Sequence, residues 1–527
     1  MVRIRSSLPT FVLTIVTAAV ALPFALAARN SPSTSLPITE WSTLIWLTVR
    51  SLALPMAAAS IALVLAAAIV LFGYGMCPRR GRHALFAFSA VPFLFPPVIV
   101  AHAVHQWLGE PHLLLSSSLT VLPAAVFGQA MALRFIDADT LMLTRSLGLP
   151  LRVSWRHSIG PMWRRGAALA WMWGAFQLFS DPGIYSVYGG NQAHLASHIF
   201  RSVAGGSPGP SVVRAAVLML VPAAIVALIV TRPSFWRGTS LTHLVPRARV
   251  SELLSQMKLP FLLRGLAGVL VLPSVLSIAG ILITIGWGGA SAFLAGTKPS
   301  TSILPVVMLI AVAVPVSAVA ALLFSSAIVH ARGKVRSYGY ILVAFMVLAS
   351  PTATGALLAT GLRAPVTVGD YVAIPVVVGG GSAAGGWIGM FLAAVAVCLP
   401  MSTLLVLGLA SLRTSDSAAA ARDLGASPMR VLMTVEFPYL MPIAIASICL
   451  ETGALFTNLS PLVFVAPSGL DLATPQLLTF VASGQSSAAF ALSILTGILT
   501  AASILGIGIL IAVVLDSTTK LRNRRRV

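Results

Sequence analysis

The sequence is poor in charged residues. Only 9% of its 527 residues are Asp, Glu, Lys or Arg, whereas a soluble domain carries about 25%. This shortage excludes an ordinary cytosolic enzyme. Hydrophobic residues make up 57% of the chain instead, which is enough for roughly a dozen membrane spans of ~20 residues each. Glycine and proline lie scattered among these apolar stretches, so the composition is not that of a disordered protein either.

Acidic residues and cysteines are also scarce. The 13 Asp and Glu residues form no cluster of the kind that a membrane enzyme acting on lipid intermediates would need. Cys77, Cys398 and Cys449 lie far apart in the sequence and indicate neither a disulfide framework nor a zinc site. The chain contains no Gly-x4-Gly-Lys-Ser/Thr phosphate loop, so we expect no ATPase site and no catalysis of its own.

Twelve apolar runs predict an all-α integral membrane protein, because helices satisfy their own backbone hydrogen bonds in lipid. The first run follows Arg3 and Arg5 and ends in Ala25-Leu26-Ala27, like a signal peptide. An uncleaved span is the favoured interpretation, since another long span follows so soon. The runs lie near residues 8–28, 43–72, 84–108, 117–136, 164–180, 211–231, 265–286, 303–329, 338–361, 386–409, 443–466 and 488–515.

The basic residues predict the orientation of these spans. With the N-terminus in the cytoplasm, 28 of the 34 Lys and Arg residues fall in cytoplasmic segments, as the positive-inside rule requires. This distribution explains the net charge of +21 without nucleic-acid binding. We therefore predict a multi-pass protein of a prokaryotic plasma membrane, with both termini in the cytoplasm.

The chain contains an internal repeat, which predicts two tandem six-helix halves that face the same way. A shift of 277 residues (425 − 148) aligns Asp139 with Asp416, Arg145 with Arg422, Leu147 with Leu424, Gly148 with Gly425, and Pro161 with Pro438. The predicted first half comprises residues 1–231, with an extra first span at 8–28 and a core at about 43–231. A basic cytoplasmic linker follows at 232–264. The predicted second half comprises residues 265–527, with a core at about 303–515.

Each half carries a cytoplasmic loop after its fourth span, here named the first loop (137–162) and the second loop (410–442). The second loop reads as an Ala-rich helix, a break at Gly425, and a short helix with Ser427 as its N-cap. The first loop repeats this plan around Gly148. A single segment of this kind would be read as an amphipathic connector on the membrane surface. Its occurrence twice in register favours docking to a cytoplasmic partner.

The second loop resembles the cytoplasmic loop of binding-protein-dependent ABC importer permeases. That family's pattern is Glu-Ala-Ala, three residues, Gly, nine residues, and an Ile-x-Leu-Pro-like ending. The matching residues are Ala419-Ala420-Ala421, Gly425 and Val435-Glu436-Phe437-Pro438. The first loop departs further, because its triplet is Met142-Leu143-Thr144 and Pro150 lies one residue closer to its glycine. Two copies in one chain are similar to the fused permeases of ferric-iron and thiamine-type importers.

The resemblance implies a type I ABC importer permease fold and a function. The chain would be the permease subunit of an ATP-driven importer, forming the pathway for a small solute or ion delivered by an external or periplasmic binding protein. Two copies of a separate ABC ATPase subunit would bind the ATP and Mg, and this chain would hold no cofactor. The residues expected to contact the ATPase are Asp139, Arg145, Leu147, Gly148, Pro150, Arg152, Asp416, Arg422, Leu424, Gly425, Ser427, Pro428 and Arg430.

Polar residues inside apolar runs are costly and therefore candidates for function. Glu451 and Asn458 lie about two turns apart on one helix face, and the repeat aligns Asn458 with Asp181, close to Gln177. The resemblance places this span along the translocation pathway, so all four residues are candidates to line it. Two alternatives stay open: Asp181 as a helix cap before Pro182, and Glu451 as a carboxyl buried between helices.

No metal site is expected. His102 and His105 share a helix face near one end of the third span. A histidine pair without a carboxylate is typical of hydrogen bonding between helices rather than of metal binding.

An ion-coupled secondary carrier is the alternative function, because such carriers also have two six-span halves. The basic segment 73–82 resembles a loop that such carriers use. The duplicated Leu-Gly loop would have no role in a carrier, and the chain has few ionisable residues for a proton relay. Nothing in the sequence identifies the transported solute.

Overall fold

The computed structural model is almost entirely helical where it describes the chain. It describes residues 2–30, 38–109, 112–133, 143, 146–148, 153, 155–189, 194–204, 210–232, 261–294, 303–368, 371–374, 376–378, 383–431, 434–435, 440, 444, 447–448, 451–453, 455–457, 460–467, 470, 472 and 473–524.

The apolar runs form long helices, and shorter helices fill the connections between them. In chain order the elements are α1 (Val2–Asn30), α2 (Ile38–Gly75), α3 (Arg79–Ser89), a 3-10 turn (Val91–Leu94), α4 (Pro97–Leu108), α5 (Leu113–Ala132), a π turn (Trp155–Ile159), α6 (Gly160–Ser180), α7 (Pro182–Tyr188), α8 (Leu195–Ala204), α9 (Pro210–Val230), α10 (Phe261–Leu294), α11 (Ile303–His330), α12 (Gly333–Leu348), α13 (Pro351–Gly361), β1 (Val366–Val368), β2 (Tyr371–Ile374), α14 (Ala383–Asp423), α15 (Pro428–Val431), α16 (Ser460–Val465), α17 (Ala473–Ala482) and α18 (Ser486–Arg524). Strands β1 and β2 pair antiparallel.

Proline marks the points where helices break. Pro97, Pro182 and Pro351 each occupy the first position of a new helix, α4, α7 and α13. Proline fits there because its missing N–H has no partner in the first turn and its φ already suits a helix. The axes of α12 and α13 differ by 93°. At each of these prolines, two shorter helices therefore take the place of one straight helix.

The same order of elements occurs twice along the chain. Each series has two long helices, a helix pair broken at a proline, and another long helix. After a loop the first series continues with α6, and both series then have a short helix (α7 or α16), a ten-residue helix (α8 or α17) and a final long helix. This order is what a duplicated chain would produce.

The first helix of each series packs against helices of the other series. Helix α1 packs against α11, α12 and α13 of the second series, and α10 packs against α2, α3 and α4 of the first. The broken pairs also meet the opposite series, since α13 contacts α8 and α9 while α4 contacts α17 and α18. The contacts are thus related by an approximate two-fold symmetry, and each series completes the packing of the other.

Several helices are long and apolar enough to cross a membrane. Eight meet this description among the described residues, or nine if the bent pair α12 and α13 counts as one span. Large apolar side chains on α10 face outward, including Trp287 at 82% and Leu294 at 90% exposure. These features are those of a multi-pass membrane protein. The predicted third span is divided into α3 and α4 of 11 and 12 residues, and part of the predicted run 443–466 lies outside the described residues.

Candidate functional site

A cavity lies where the broken helices of the two series meet. Its walls come from the breaks before α4, α7 and α13, together with residues of α5, α6 and α17 and with Thr457. Discontinuous helices meeting inside a membrane protein are typical of solute sites in transporters. The lining residues are Pro96, Pro97, Val98, Thr120, Gln177, Leu178, Ser180, Asp181, Pro182, Gly183, Pro351, Thr457 and Thr474.

Two of the predicted pathway residues, Gln177 and Asp181, line this cavity. Asp181 is also the N-cap of α7, because the backbone N–H of Gly183 donates to its Oδ1 atom over 2.7 Å. The backbone N–H of Ile184 lies within hydrogen-bonding reach of the same carboxyl, whose Oδ2 atom is inaccessible to solvent. The lining set contains no Lys, Arg or His. Asp181 is therefore the one charged side chain among the described residues that line the cavity.

The breaks of the two series are joined directly. The hydroxyl oxygens of Ser180, before α7, and Ser350, before α13, lie 2.8 Å apart. The hydroxyl of Thr352 donates to the carbonyl of Ser180, and Ser350 also caps α13 by accepting from the N–H of Ala353 over 3.2 Å. A movement of one break would therefore strain the hydrogen bonds of the other.

A cluster of buried polar side chains lies beside Asp181, here named the first-half polar cluster (Ser117, Asp181, Tyr185 and His194). The Tyr185 ring stacks on the His194 ring with 3.7 Å between centroids and 8° between planes. The Tyr185 hydroxyl lies next to the Ser117 hydroxyl and within electrostatic reach of Asp181. The two hydroxyls lie within hydrogen-bonding reach of each other, and neither is accessible to solvent. Mutual hydrogen bonding is the usual way in which buried polar atoms are satisfied.

The two predicted histidines belong to a larger group, here named the histidine cluster (His102, His105, His112 and Tyr188). The Tyr188 hydroxyl is hydrogen-bonded to His102 Nδ1, and the Nδ1 atoms of His105 and His112 lie 3.1 Å apart. His102 Nε2 lies 2.9 Å from the hydroxyl of Ser486 at the start of α18. These hydrogen bonds link α4 to α7 and to the second series. Within the described residues no three His, Cys, Asp or Glu side chains are placed to hold a metal.

Glu451 is not among the residues that line the cavity. It is only 1% exposed, and both carboxyl oxygens are inaccessible to solvent. Its neighbours include Cys398 of α14 and Ser447, whose hydroxyl lies within hydrogen-bonding reach of the carboxyl and also donates to the Ala444 carbonyl. This placement corresponds to the alternative of a carboxyl buried between helices. The other predicted pathway residue of this segment, Asn458, lies outside the described residues.

The two loops have the same turn at their Leu-Gly pairs. Gly148 has φ 65° and Gly425 has φ 84°, a left-handed conformation that glycine adopts without steric cost. A Cβ atom on either glycine would meet nothing within 4 Å. The preceding Leu147 and Leu424 are 65% and 88% exposed. Each loop therefore presents an apolar side chain on an open turn.

The second loop is described in more detail than the first. The N–H of Ala426 donates to the Ala421 carbonyl over 3.0 Å, which closes α14 with a Schellman turn. The N–H of Arg430 donates to Ser427 Oγ over 3.4 Å, so Ser427 caps α15 as the sequence predicts. Only the backbone is described at Asp416, Arg422 and Pro428, and the first-loop residues Asp139, Arg145, Pro150 and Arg152 lie outside the described residues.

Sequence reasoning missed most of the first-half polar cluster. Tyr185 and His194 lie in connections after the predicted fifth span, and no spacing marks them as neighbours of Asp181. The run Ser116-Ser117-Ser118 inside an apolar stretch was a usable signal, because all three are fully buried. Serine that only bonds its own helix is common, however, and two of the three do so.

Comparisons with known proteins add no family. No protein-family model, no curated protein and no solved structure matches the chain. Function is therefore inferred from the geometry above and from the loop pattern.

Proposed function

We propose that the chain is the membrane-spanning permease subunit of an ATP-driven importer, with a type I fold of about 12 transmembrane helices in two halves. It would form the pathway for a small solute or ion that an external or periplasmic binding protein delivers. Two copies of an ABC ATPase subunit would bind the two loops from the cytoplasm of a prokaryotic cell. ATP and Mg would be held by those partners, and this chain would catalyse no reaction.

The pair of Leu-Gly turns is the observation that carries the proposal. Both turns have positive φ, both expose the leucine, and they lie 277 residues apart (425 − 148) in repeated positions. A surface connector needs neither the same turn twice nor an exposed leucine at each. An exposed apolar side chain on a rigid turn is suited to insertion into a groove of a protein partner.

The helix breaks supply the second support. They meet at one cavity and are joined between the two series by Ser180 and Ser350. In a transporter that opens alternately to each side, the pathway lies between two repeated halves, near broken helices. The hydrogen-bonded breaks would transmit a movement of the loops to the cavity.

Co-purification of the ATPase with a Gly425→Val variant tests this proposal. Valine at φ 84° costs roughly 1–2 kcal/mol or forces the turn to open, which would misplace Leu424 and α15. We expect the tagged parent chain, purified from its own membranes, to retain an ATP-hydrolysing subunit, and the variant to lose most of it.

Gly484→Val is the matched control. Gly484 has φ 76°, a Cβ there would also meet nothing within 4 Å, and its turn is closed by the same kind of bond, from Gln485 N to the Phe480 carbonyl. It lies between α17 and α18, outside both loops. Equal loss of the ATPase in both variants, or full retention in Gly425→Val, would mean that the second loop is not the docking site.

The ion-coupled carrier is a second candidate because two carboxyl side chains, Asp181 and Glu451, have oxygen atoms that are inaccessible to solvent. Proton- or sodium-coupled carriers use such groups. Uptake into vesicles that contain the purified chain alone, driven by an ion gradient without ATP, would favour the carrier and exclude the importer.

A further inference from the structure

The start of α3 carries positive charge where a helix disfavours it. Three of its first four residues are basic, here named the basic start of α3 (Arg79, Arg80 and Arg82). The first turn contains no acidic residue, and no side chain caps it. Free N–H groups and the helix dipole already make this end positive, so arginines there are unfavourable and an anion is stabilising. This arrangement of charges is suited to binding an anion.

The burial of Arg82 points to a ligand independently of the helix end. Its side chain is only 5% exposed, and its guanidinium lies over the Tyr74 ring, with 4.7 Å between Cζ and the ring centroid. Its charge lies within electrostatic reach of Cys77, in the turn that precedes α3. Among the described residues it has no hydrogen-bond acceptor and no carboxylate partner. A buried guanidinium is costly unless its charge is paired, so this charge requires an anion.

The helices around α3 supply no acidic residue at this end. Those packed against it are α2, α5, α10 and the 3-10 turn before α4. Their sequences contain a single acidic residue, Glu40. It lies at the opposite end of α2, 35 residues before Gly75 (75 − 40). The counter-charge for Arg82 therefore does not come from these helices.

We propose that the basic start of α3 binds the phosphate of an anionic phospholipid. The planar guanidinium of arginine matches the oxygens of a phosphate, and it is less strongly hydrated than an ammonium group. Helix α2 is long and apolar enough to cross a membrane and ends at Gly75, so α3 begins where the chain leaves the bilayer.

The surface beside the basic start of α3 fits the rest of a lipid. Helix α10 packs against both α2 and α3, and Leu266 and Val269 near its start are exposed, as is Met76 after α2. These apolar side chains suit acyl chains, while the arginines suit the headgroup. A free phosphate ion would use only the second of these features, and a phospholipid uses both.

The second series has similar charges but no buried arginine. A shift of 254 residues (351 − 97), which aligns the prolines at the starts of α4 and α13, places Arg82 opposite Arg336 of α12. Arg336 is exposed and donates to the hydroxyl of Tyr340 on its own helix over 3.2 Å. Membrane orientation alone calls for basic residues near the ends of spans, but not for a buried one. We therefore expect one lipid site per chain, at α3.

Thermal unfolding of the purified full chain in detergent tests the site. The probes are dioleoylphosphatidylglycerol, which is anionic, dioleoylphosphatidylcholine, which has the same acyl chains and no net charge, and glycerol 3-phosphate, which has no acyl chains. We expect only the phosphatidylglycerol to raise the unfolding temperature in a saturable way. An equal rise with phosphatidylcholine, or no rise with either lipid, would overturn the site. An equal rise with glycerol 3-phosphate would overturn the lipid as its occupant.

Arg82→Gln and Arg336→Gln each remove one positive charge, at aligned positions of the two series. Arg82→Gln should raise the half-saturating amount of phosphatidylglycerol at least about tenfold, the value of one charged hydrogen bond. Arg336→Gln should leave it unchanged. Without lipid, Arg82→Gln should not lower the unfolding temperature, because the variant no longer buries an unpaired charge. A fall in that temperature, with an unchanged response to lipid, would assign Arg82 to packing and overturn the proposal.

Arg80→Gln tests the site at an exposed position, where folding does not depend on the side chain. It should weaken the response to phosphatidylglycerol less than Arg82→Gln does, because water and salt screen an exposed charge. Lys334→Gln is its control, since Lys334 is the aligned residue (80 + 254) and is also exposed. Equal responses in variant and control would reduce the effect to a general attraction of anionic lipid to basic residues and overturn the site. The test uses neither the ATPase nor transport, so its outcome is independent of the proposed function.

Discussion

The two halves pack the same pair of helices in different ways. In the first half α5 and α6 approach so closely that glycine is required. A Cβ atom on Gly166 would lie 2.3 Å from the Cβ of Ala132, and one on Gly174 would lie 2.2 Å from Cγ1 of Val121. Small residues that allow such contact are a common means of joining helices in membranes.

In the second half the position of Gly174 is polar, whereas Gly166 and Ala132 align with the apolar residues Ile443 and Leu409. The residue 277 positions after Gly174 is Glu451, and the residue aligned with Val121 is Cys398. Nearby, the hydroxyl of Ser402 donates to Ser447 Oγ over 3.0 Å, where the first half has alanine at both positions. Close packing in one half is thus replaced by hydroxyl groups and a buried carboxyl in the other.

Around α4 the buried polar side chains belong to the first half instead of the second. Alignment of Pro97 with Pro351, a shift of 254 residues (351 − 97), places His102 and His105 opposite Ala356 and Ala359. The histidine cluster of the first half therefore has small apolar residues as its counterpart. The halves share a scaffold, but their buried polar groups lie at different places. A duplicated pathway need not be chemically symmetric, and each half can be tested against the other.

Gly174→Val should give the largest effect on stability. No shift of a flexible side-chain end can remove the clash, because Val121 is itself fully packed, at 2% exposure. Overpacking of this kind costs about 1–3 kcal/mol or more, and we expect a large fall in the unfolding temperature of the detergent-purified chain.

Gly286→Val is the control for that experiment, since a Cβ on Gly286 of α10 would meet nothing within 4 Å. The stability of this variant should change only by the difference in helix propensity between glycine and valine. Similar losses in both variants would show that the close contact of α5 with α6 contributes little, and would weaken the comparison between the halves.

The sequence predicted the long helices but not every break within them. Long apolar runs predict helices because lipid or a protein core demands satisfied backbone groups, and Ser427 and Gly425 carry local turn signals that hold in the structure. Asp181 and Gln177 were predicted from their polarity within an apolar run, from the repeat and from the resemblance. The hydrogen bonds of the neighbouring Ser180 to Ser350 and Thr352 depend on how two distant segments meet, which no local pattern encodes.

The loops give a second comparison, with a moderate expected effect. Gly148→Val and Gly425→Val introduce strain of similar size, roughly 1–2 kcal/mol, because both glycines have positive φ. We expect Gly425→Val to cause the greater loss of ATPase co-purification and of solute-stimulated ATP hydrolysis, since the second loop keeps more of the permease pattern and exposes Leu424 more fully. A greater defect in Gly148→Val would keep the docking role and reverse the ranking of the loops.

The smallest change in stability is expected at Glu451, where the comparison concerns function. Glu451→Gln conserves volume, and swaps that do so usually cost less than about 1.5 kcal/mol. If the buried carboxyl serves transport, uptake should fall while ATPase co-purification stays at the parent level. Ser402→Ala is the neighbouring control, because it removes the hydroxyl bond to Ser447, worth about 0.5–1.5 kcal/mol, and leaves the carboxyl in place. Unchanged uptake in Glu451→Gln, or an equal loss of uptake in both variants, would assign Glu451 to helix packing. The polar contact in the second half would then take the place of the close glycine contact in the first half.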